Sequence, residues 1–179
     1  MENNELCCSF TGYRPQKMPF KISTDDPAYN RFENLLIGKI IELVNEGVTT
    51  FISGMATGFD LIAAECVLEV KEMTEPSSIS LIAAIPFLDQ AQKFNAFWKE
   101  KYEKVKKNAD EVVLISSEYY SGCYMARNKY MVENSDIVVS FYDGKPGGTK
   151  NTVNYALSLQ RKVINLGDLW DSLSIISHI

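Results

Sequence analysis

Short apolar runs alternate with amphipathic stretches along the whole 179-residue chain, and that alternation limits the fold class more than any other feature. The runs are Leu6 to Phe10, Thr49 to Ile52, Ile79 to Ile85, Glu111 to Ile115, Ile137 to Phe141 and Val163 to Leu166. Between the first two, Tyr29, Phe32, Leu36, Ile40 and Leu43 recur at helical spacing. Asp26-Pro27 supplies an N-cap and a proline at the first helical position, and Gly47 supplies the stop. Further helices are predicted over Leu61 to Lys71, Met125 to Asn134 and Thr152 to Gln160. Another is predicted from a cap at Asp89 through the stripe Phe94, Phe97, Trp98, Tyr102 and Val105. Strands that alternate with helices need crossovers, which make the sheet parallel and cover both its faces. "EVVLI" and "IVVSF" are nearly continuous apolar runs, as expected of strands buried on both sides. The expectation is one α/β domain over residues 1–179, Rossmann-like, with a mostly parallel sheet and helices on both faces.

Composition excludes several classes. No apolar run approaches the roughly 18 residues of a membrane span, and the polar start MENNEL lacks the character of a signal peptide. A soluble cytoplasmic protein is expected. The formal net charge of −5 opposes a broad nucleic-acid surface, which needs a basic field. The run "KEKYEKVKK", Lys99 to Lys107, interleaves acids and reads as a solvated helix face with i,i+4 pairs. Cys7, Cys8 and Cys66 read as buried free thiols and Cys123 as a loop residue. There is no C-x-x-C pair, and the single histidine, His178, gives no metal-site spacing.

In open parallel sheets, ligands bind beyond the carboxyl ends of the strands, where the chain order reverses. The unusual residues of this chain gather there. "TGYR" (Thr11, Gly12, Tyr13, Arg14) follows the first strand and "SGMATGFD" (Ser53 to Asp60) the second. "SEYYSGCYMARN" (Ser117 to Asn128) follows the fourth, and "DGKPGGT" (Asp143 to Thr149) the fifth. Glycine lets backbone N–H groups approach a ligand, and the helix that follows presents a partial positive charge. Gly54, Gly58, Gly147 and Gly148 therefore suit an anion, although tight α/β turns use glycine for purely structural reasons too. Neither G-x-G-x-x-G nor a Walker A sequence occurs. Arg14 and Arg127 are either phosphate forks or surface arginines. Asp60 is either the cap of the second helix or a contact for a ribose hydroxyl. Tyr119, Tyr120 and Tyr124 can stack on a base or pack on neighbouring helices.

"CCSFTGYRP", "FISGMATGFDLIAAE" and "YMARNKYMVENSDIVVSFYDGKPGGTKNTVNYA" together resemble the YpsA-like (DUF1273) family of the SLOG superfamily, over nearly the whole chain. The resemblance implies a Rossmann-like fold that binds a nucleotide or nucleotide-derived small molecule, of the ADP-ribose or NAD type. The same superfamily holds the LOG phosphoribohydrolases and the DNA-processing protein DprA. With the resemblance, the candidate ligand-binding residues are Thr11, Gly12, Arg14, Ser53, Gly54, Gly58, Asp60, Arg127, Asn128, Gly147, Gly148 and Thr149.

Arg127 matches the LOG arginine, but Val153 and Asn154 stand where the LOG segment carries its glutamate. No acid lies between Asp143 and Arg161, and glycosidic cleavage needs a carboxylate. No residue is therefore assigned a catalytic role, and no metal or cofactor is assigned. Binding or sensing leads. A hydrolase using Asp60 or Glu65 is the enzyme alternative, and DprA-like DNA binding is the third. Self-association into a homo-oligomer stays open.

Overall fold

The structure is a computed structural model that describes residues 5–74 and 78–176; residues 1–4 of the polar N-terminus and His178 lie outside the described residues. Six parallel strands form one sheet: β1 (Leu6–Gly12), β2 (Val48–Ser53), β3 (Ser80–Ile85), β4 (Glu111–Leu114), β5 (Ile137–Phe141) and β6 (Lys162–Asn165). Their order is β4-β3-β2-β1-β5-β6. The helices are α1 (Pro27–Asn45), α2 (Phe59–Met73), α3 (Ala96–Asn108), α4 (Cys123–Glu133), α5 (Gly148–Ser158) and α6 (Leu166–Ile176). None of them is long and apolar enough to cross a membrane.

Alternate residues of each strand feed two different cores, as the period of two requires. Cys8, Phe10, Phe51, Leu81, Val139 and Phe141 face the larger core with side chains from α1, α2, α3 and α6. Phe32 of α1 packs on Phe141 with ring centroids 4.6 Å apart. Each such ring, fully buried, contributes about 1.5–3 kcal/mol. Ile52, Ala84 and Val138 face the other way, onto Met131 and Val132 of α4 and Ala156 of α5. The sheet is thus covered on both faces, by four helices and by two.

Most expected elements occur within a few residues of their predicted bounds. The Asp26 cap accepts from the Ala28 N–H at 2.8 Å. Several readings need correction. β5 is buried at every position, but β4 is an edge strand whose Val112 and Leu114 are 44% and 45% exposed. An apolar run reports strand character, not the number of strand neighbours. Asp89 does not cap α3. Asn95 does, accepting from Trp98 N–H at 3.0 Å, and Phe94 precedes the helix. α5 starts at Gly148, four residues before Thr152. Cys123 is the buried first residue of α4, whereas Cys7 is only half-buried. Lys101 and Lys104 pair across to Glu65 of α2, at 2.5 and 3.4 Å, instead of along α3. α6 was not expected, although Leu166, Leu169, Trp170 and Leu173 keep helical spacing.

Candidate functional site

The strand order fixes where a cleft must open. From β1 the chain proceeds outward to β2 through α1, on the large-core face, whereas β5, on the other side of β1, leads into α5 on the opposite face. The loops leaving β1 and β5 therefore diverge, and a crevice forms between them. A cleft of about 770 Å³ occupies that position. Thr11, Gly12, Arg14, Asp60, Arg127, Asn128, Gly147, Gly148 and Thr149 all line it. Ser53, Gly54 and Gly58 do not.

Those three residues build the floor beneath the cleft. Gly58 has φ +92°, and a Cβ there would overlap the Tyr13 carbonyl oxygen, which accepts from Phe59 N–H at 3.0 Å. At Gly54 a Cβ would overlap the Arg127 guanidinium and stand 2.7 Å from Asp60 Oδ2. The small residues of "SGMATG" thus make room for other parts of the protein. Arg127 Nη1 donates to the Gly54 carbonyl and lies 3.8 Å from Asp60 Oδ2. Ser53 Oγ donates to the Asp60 carbonyl at 2.9 Å and accepts from Met55 N–H at 3.2 Å. That bond holds Met55 at φ +59°, a left-handed conformation rare for a side chain of its size.

Asp60 is the second residue of α2 and not its cap, which is Gly58. Burial pushes its carboxyl up; Arg127, Arg14 and the Ala56 N–H pull the other way. Burial likewise lowers the Arg127 guanidinium, with Asp60 opposing. Arg127 Nε donates to Asn128 Oδ1 at 2.8 Å, and Asn128 Nδ2 donates to Thr152 Oγ1 at 3.0 Å. Arg127 therefore joins the β2 turn to the start of α5.

The other wall is more open. α5 begins without a side-chain cap, and a Cβ at Gly148 would meet nothing within 4 Å. Thr149 follows, and Thr152 Oγ1 donates to the Gly148 carbonyl at 3.0 Å. Lys17, Lys145 and Asp143 also line the cleft, so four cations face two carboxylates there. Hydrogen bonds from the Lys145 side chain and the Tyr13 hydroxyl hold the Asp143 carboxyl well below the usual range.

Tyr13, Asp143 and Lys145 lie inside the quoted motifs without a ligand-binding role assigned to them, and Lys17, three residues beyond Arg14, is not singled out by the sequence. Charged residues flanking the strand-end glycines were the available signal. Of the two acids held in reserve, Asp60 lines the cleft and Glu65 faces α3. At the LOG glutamate position, Val153 is buried in the protein and Asn154 is exposed, and neither lines the cleft. Tyr124 does line it, its ring edge-on to Phe87 at 5.7 Å; Tyr119 and Tyr120 lie outside and are exposed. Among the described residues, no three His, Cys, Asp or Glu side chains converge as metal ligands.

Comparison with known proteins agrees with this architecture. The profile of the YspA SLOG family (YpsA) matches residues 8–165. The SPbeta prophage-derived protein YoqJ of Bacillus subtilis is 31% identical over 144 residues, covering 73% of this chain and 83% of that protein. A UPF0398 protein of Bacillus cereus is 30% identical over 149 residues, covering 82% of this chain and 79% of the relative. Among solved structures, DNA processing protein A of Helicobacter pylori, described with a single-stranded DNA binding mode, superposes with a TM-score of 0.60 at 19% identity. That alignment covers 89% of this chain but only 64% of the Helicobacter protein, and it speaks to the fold alone.

Proposed function

The chain belongs to the YspA SLOG family, and from that premise we propose that its strand-end cleft binds or senses a nucleotide or nucleotide-derived small molecule, of the ADP-ribose or NAD type. The observation that carries this reading is the convergence of Arg14, Lys17, Lys145 and the uncapped start of α5 on one cleft. A helix N-terminus offers N–H donors and a partial positive charge, and cations beside it select a phosphate. Arg127 and Asp60 form the floor. Because each already serves the other, their role in this reading is to fix the cleft's shape and to offer remaining hydrogen-bonding atoms to a ribose.

Binding is preferred over hydrolysis because of what the cleft carboxylates already do. The Asp60 carboxylate is paired with Arg127, and the Asp143 carboxylate holds the Lys145 ammonium at 2.8 Å and accepts from the Lys145 backbone N–H at 3.0 Å. Single-stranded DNA is the second reading. The fold shared with a DNA processing protein and the exposed Tyr119 and Tyr120 rings beside the cleft favour it, and the net charge of −5 opposes it.

Thermal denaturation with ADP-ribose, NAD, nucleoside monophosphates and a short oligodeoxynucleotide separates these readings, with base release followed by chromatography. At a concentration of 100 Kd, a ligand stabilises the fold by about 2.7 kcal/mol. Saturable stabilisation by a small nucleotide, without base release, is expected. Stabilisation by the oligonucleotide alone would transfer the cleft to DNA. Base release that vanishes in Asp60→Asn would make the protein a hydrolase, and no response to any phosphate-bearing compound would end the proposal.

A further inference from the structure

A second concavity of about 470 Å³ runs between α4 and α5. It shares Tyr124, Asn128 and Gly148 with the main cleft, so the two are lobes of one depression. Their chemistry differs. The main lobe carries four cations and two carboxylates, whereas the second is walled by Tyr124, Met125 and Tyr155, with Lys129 over the Tyr155 ring and no carboxylate among its lining residues. The Asn151 amide, which makes no side-chain hydrogen bond among the described residues, stands in that wall.

We propose that the groove between α4 and α5 is the base subsite of a nucleoside phosphate whose phosphate lies at the start of α5. This rests on the phosphate reading of the main lobe. A nucleotide is divided as the depression is: an anionic end, and a flat, uncharged heteroaromatic ring edged with hydrogen-bonding groups. Aromatic rings and a thioether suit the faces of that ring, and an amide suits its edge. Gly148 sits where the lobes join, and nothing lies within 4 Å of where its Cβ would be. A sugar can therefore cross from one lobe to the other over bare backbone. The base would then lie against the two helices on the thinly covered face of the sheet, and not against the loop that follows β2.

Calorimetric titration with ribose 5-phosphate and with the four common nucleoside 5′-monophosphates tests the subsite on the intact chain. Met125 is 57% exposed, so Met125→Glu places a charge in the groove without disturbing the core; Asn151→Ala removes the amide. Stacking contributes enough that at least one nucleotide should bind roughly tenfold tighter than ribose 5-phosphate. In Met125→Glu that ratio should fall to about one, with ribose 5-phosphate affinity held within about twofold at high salt, which screens an exposed charge. Asn151→Ala should lower the ratio for only some of the four bases. A wild-type ratio near one, with ribose 5-phosphate still binding, would overturn the base subsite and leave the phosphate site standing. A ratio unchanged in both variants would do the same. If Met125→Glu converts a dimer to a monomer in sedimentation while the ratio holds, the groove is a self-association face and the proposal is overturned. Failure of ribose 5-phosphate and every nucleotide to bind removes the phosphate reading as well.

Discussion

The turn after β2 and the turn after β5 are built from similar residues and do opposite things. Both place two glycines between a strand and a helix on the same rim of the sheet. After β2, the protein fills its own turn: Arg127 donates to the Gly54 carbonyl, Ser53 Oγ donates to the Asp60 carbonyl, and Phe59 N–H goes to the Tyr13 carbonyl. After β5, the start of α5 opens into the cleft, and nothing crowds Gly148. A glycine turn is therefore a place where close approach is allowed, and the surroundings decide what approaches. In the first turn it is an arginine from α4; in the second, solvent and, on the reading above, a phosphate.

The largest expected effect follows from removing the occupant of the first turn. Arg127→Met leaves Asp60 buried without its principal counter-charge, which costs about 3–5 kcal/mol at neutral pH. Burial already raises the Asp60 carboxyl, and losing Arg127 raises it further. A carboxyl whose folded pKa exceeds its unfolded value, about 3.9, adds stability that is fully present below that value and is lost as pH rises through the folded one. The deficit of Arg127→Met relative to wild type should therefore shrink as pH falls through the raised Asp60 value and be smallest below about pH 4. Urea denaturation at pH 3.5 and pH 7 reads both quantities. A deficit equal at the two pH values would mean that Asp60 does not depend on Arg127.

A smaller loss is expected when the first turn itself is crowded. Gly54→Ala drives a Cβ into the Arg127 guanidinium and toward Asp60 Oδ2, and an Arg127 that yields must give up its bond to the residue-54 carbonyl and its place beside Asp60. Overpacking of this kind costs about 1–3 kcal/mol. In the Arg127→Met background the penalty should fall, because the guanidinium it collides with is gone. A double-mutant cycle by denaturant titration checks this. Additivity of the two substitutions would break the claim that Gly54 exists to admit Arg127.

The fold was legible because period and punctuation are local. Asp26-Pro27, Gly47 and the run of β5 each act within a few residues, and each matched the structure. The exposed faces of β4 were not legible, since edge position depends on the order in which strands assemble. The site divided along the same line. The strand-end loops were visible, and the topology brings most of their named residues to one cleft. Whether Asp60 caps a helix or meets an arginine 67 positions away is a long-range fact that its neighbours Gly58 and Phe59 do not encode. Lys17 and Lys145 do not stand out in the sequence for a different reason: loop lysines near glycines are common, and only the adjacency of β1 and β5 in the sheet brings these two to one cleft.

The smallest effect on stability should accompany a clear effect on binding, at the second turn. Gly148 is the first residue of α5, where proline is tolerated because the N–H it lacks has no intrahelical partner. Gly147 precedes it with ψ −175°, an extended value compatible with a following proline. Gly148→Pro should therefore fold with stability within about 1 kcal/mol of wild type. Gly148→Ala adds a Cβ in the same open space and keeps the N–H. Comparing the two isolates one backbone donor from the bulk around it. A hydrogen bond to a charged group contributes about 1.5–3 kcal/mol, so ribose 5-phosphate should bind Gly148→Pro at least roughly tenfold more weakly than Gly148→Ala. The same exchange has no counterpart after β2, where an alanine at Gly54 already disturbs the buried pair. Equal affinity of the proline and alanine variants in calorimetric titration would show that the start of α5 donates nothing to the anion, and the contrast between the two turns would then be one of packing alone.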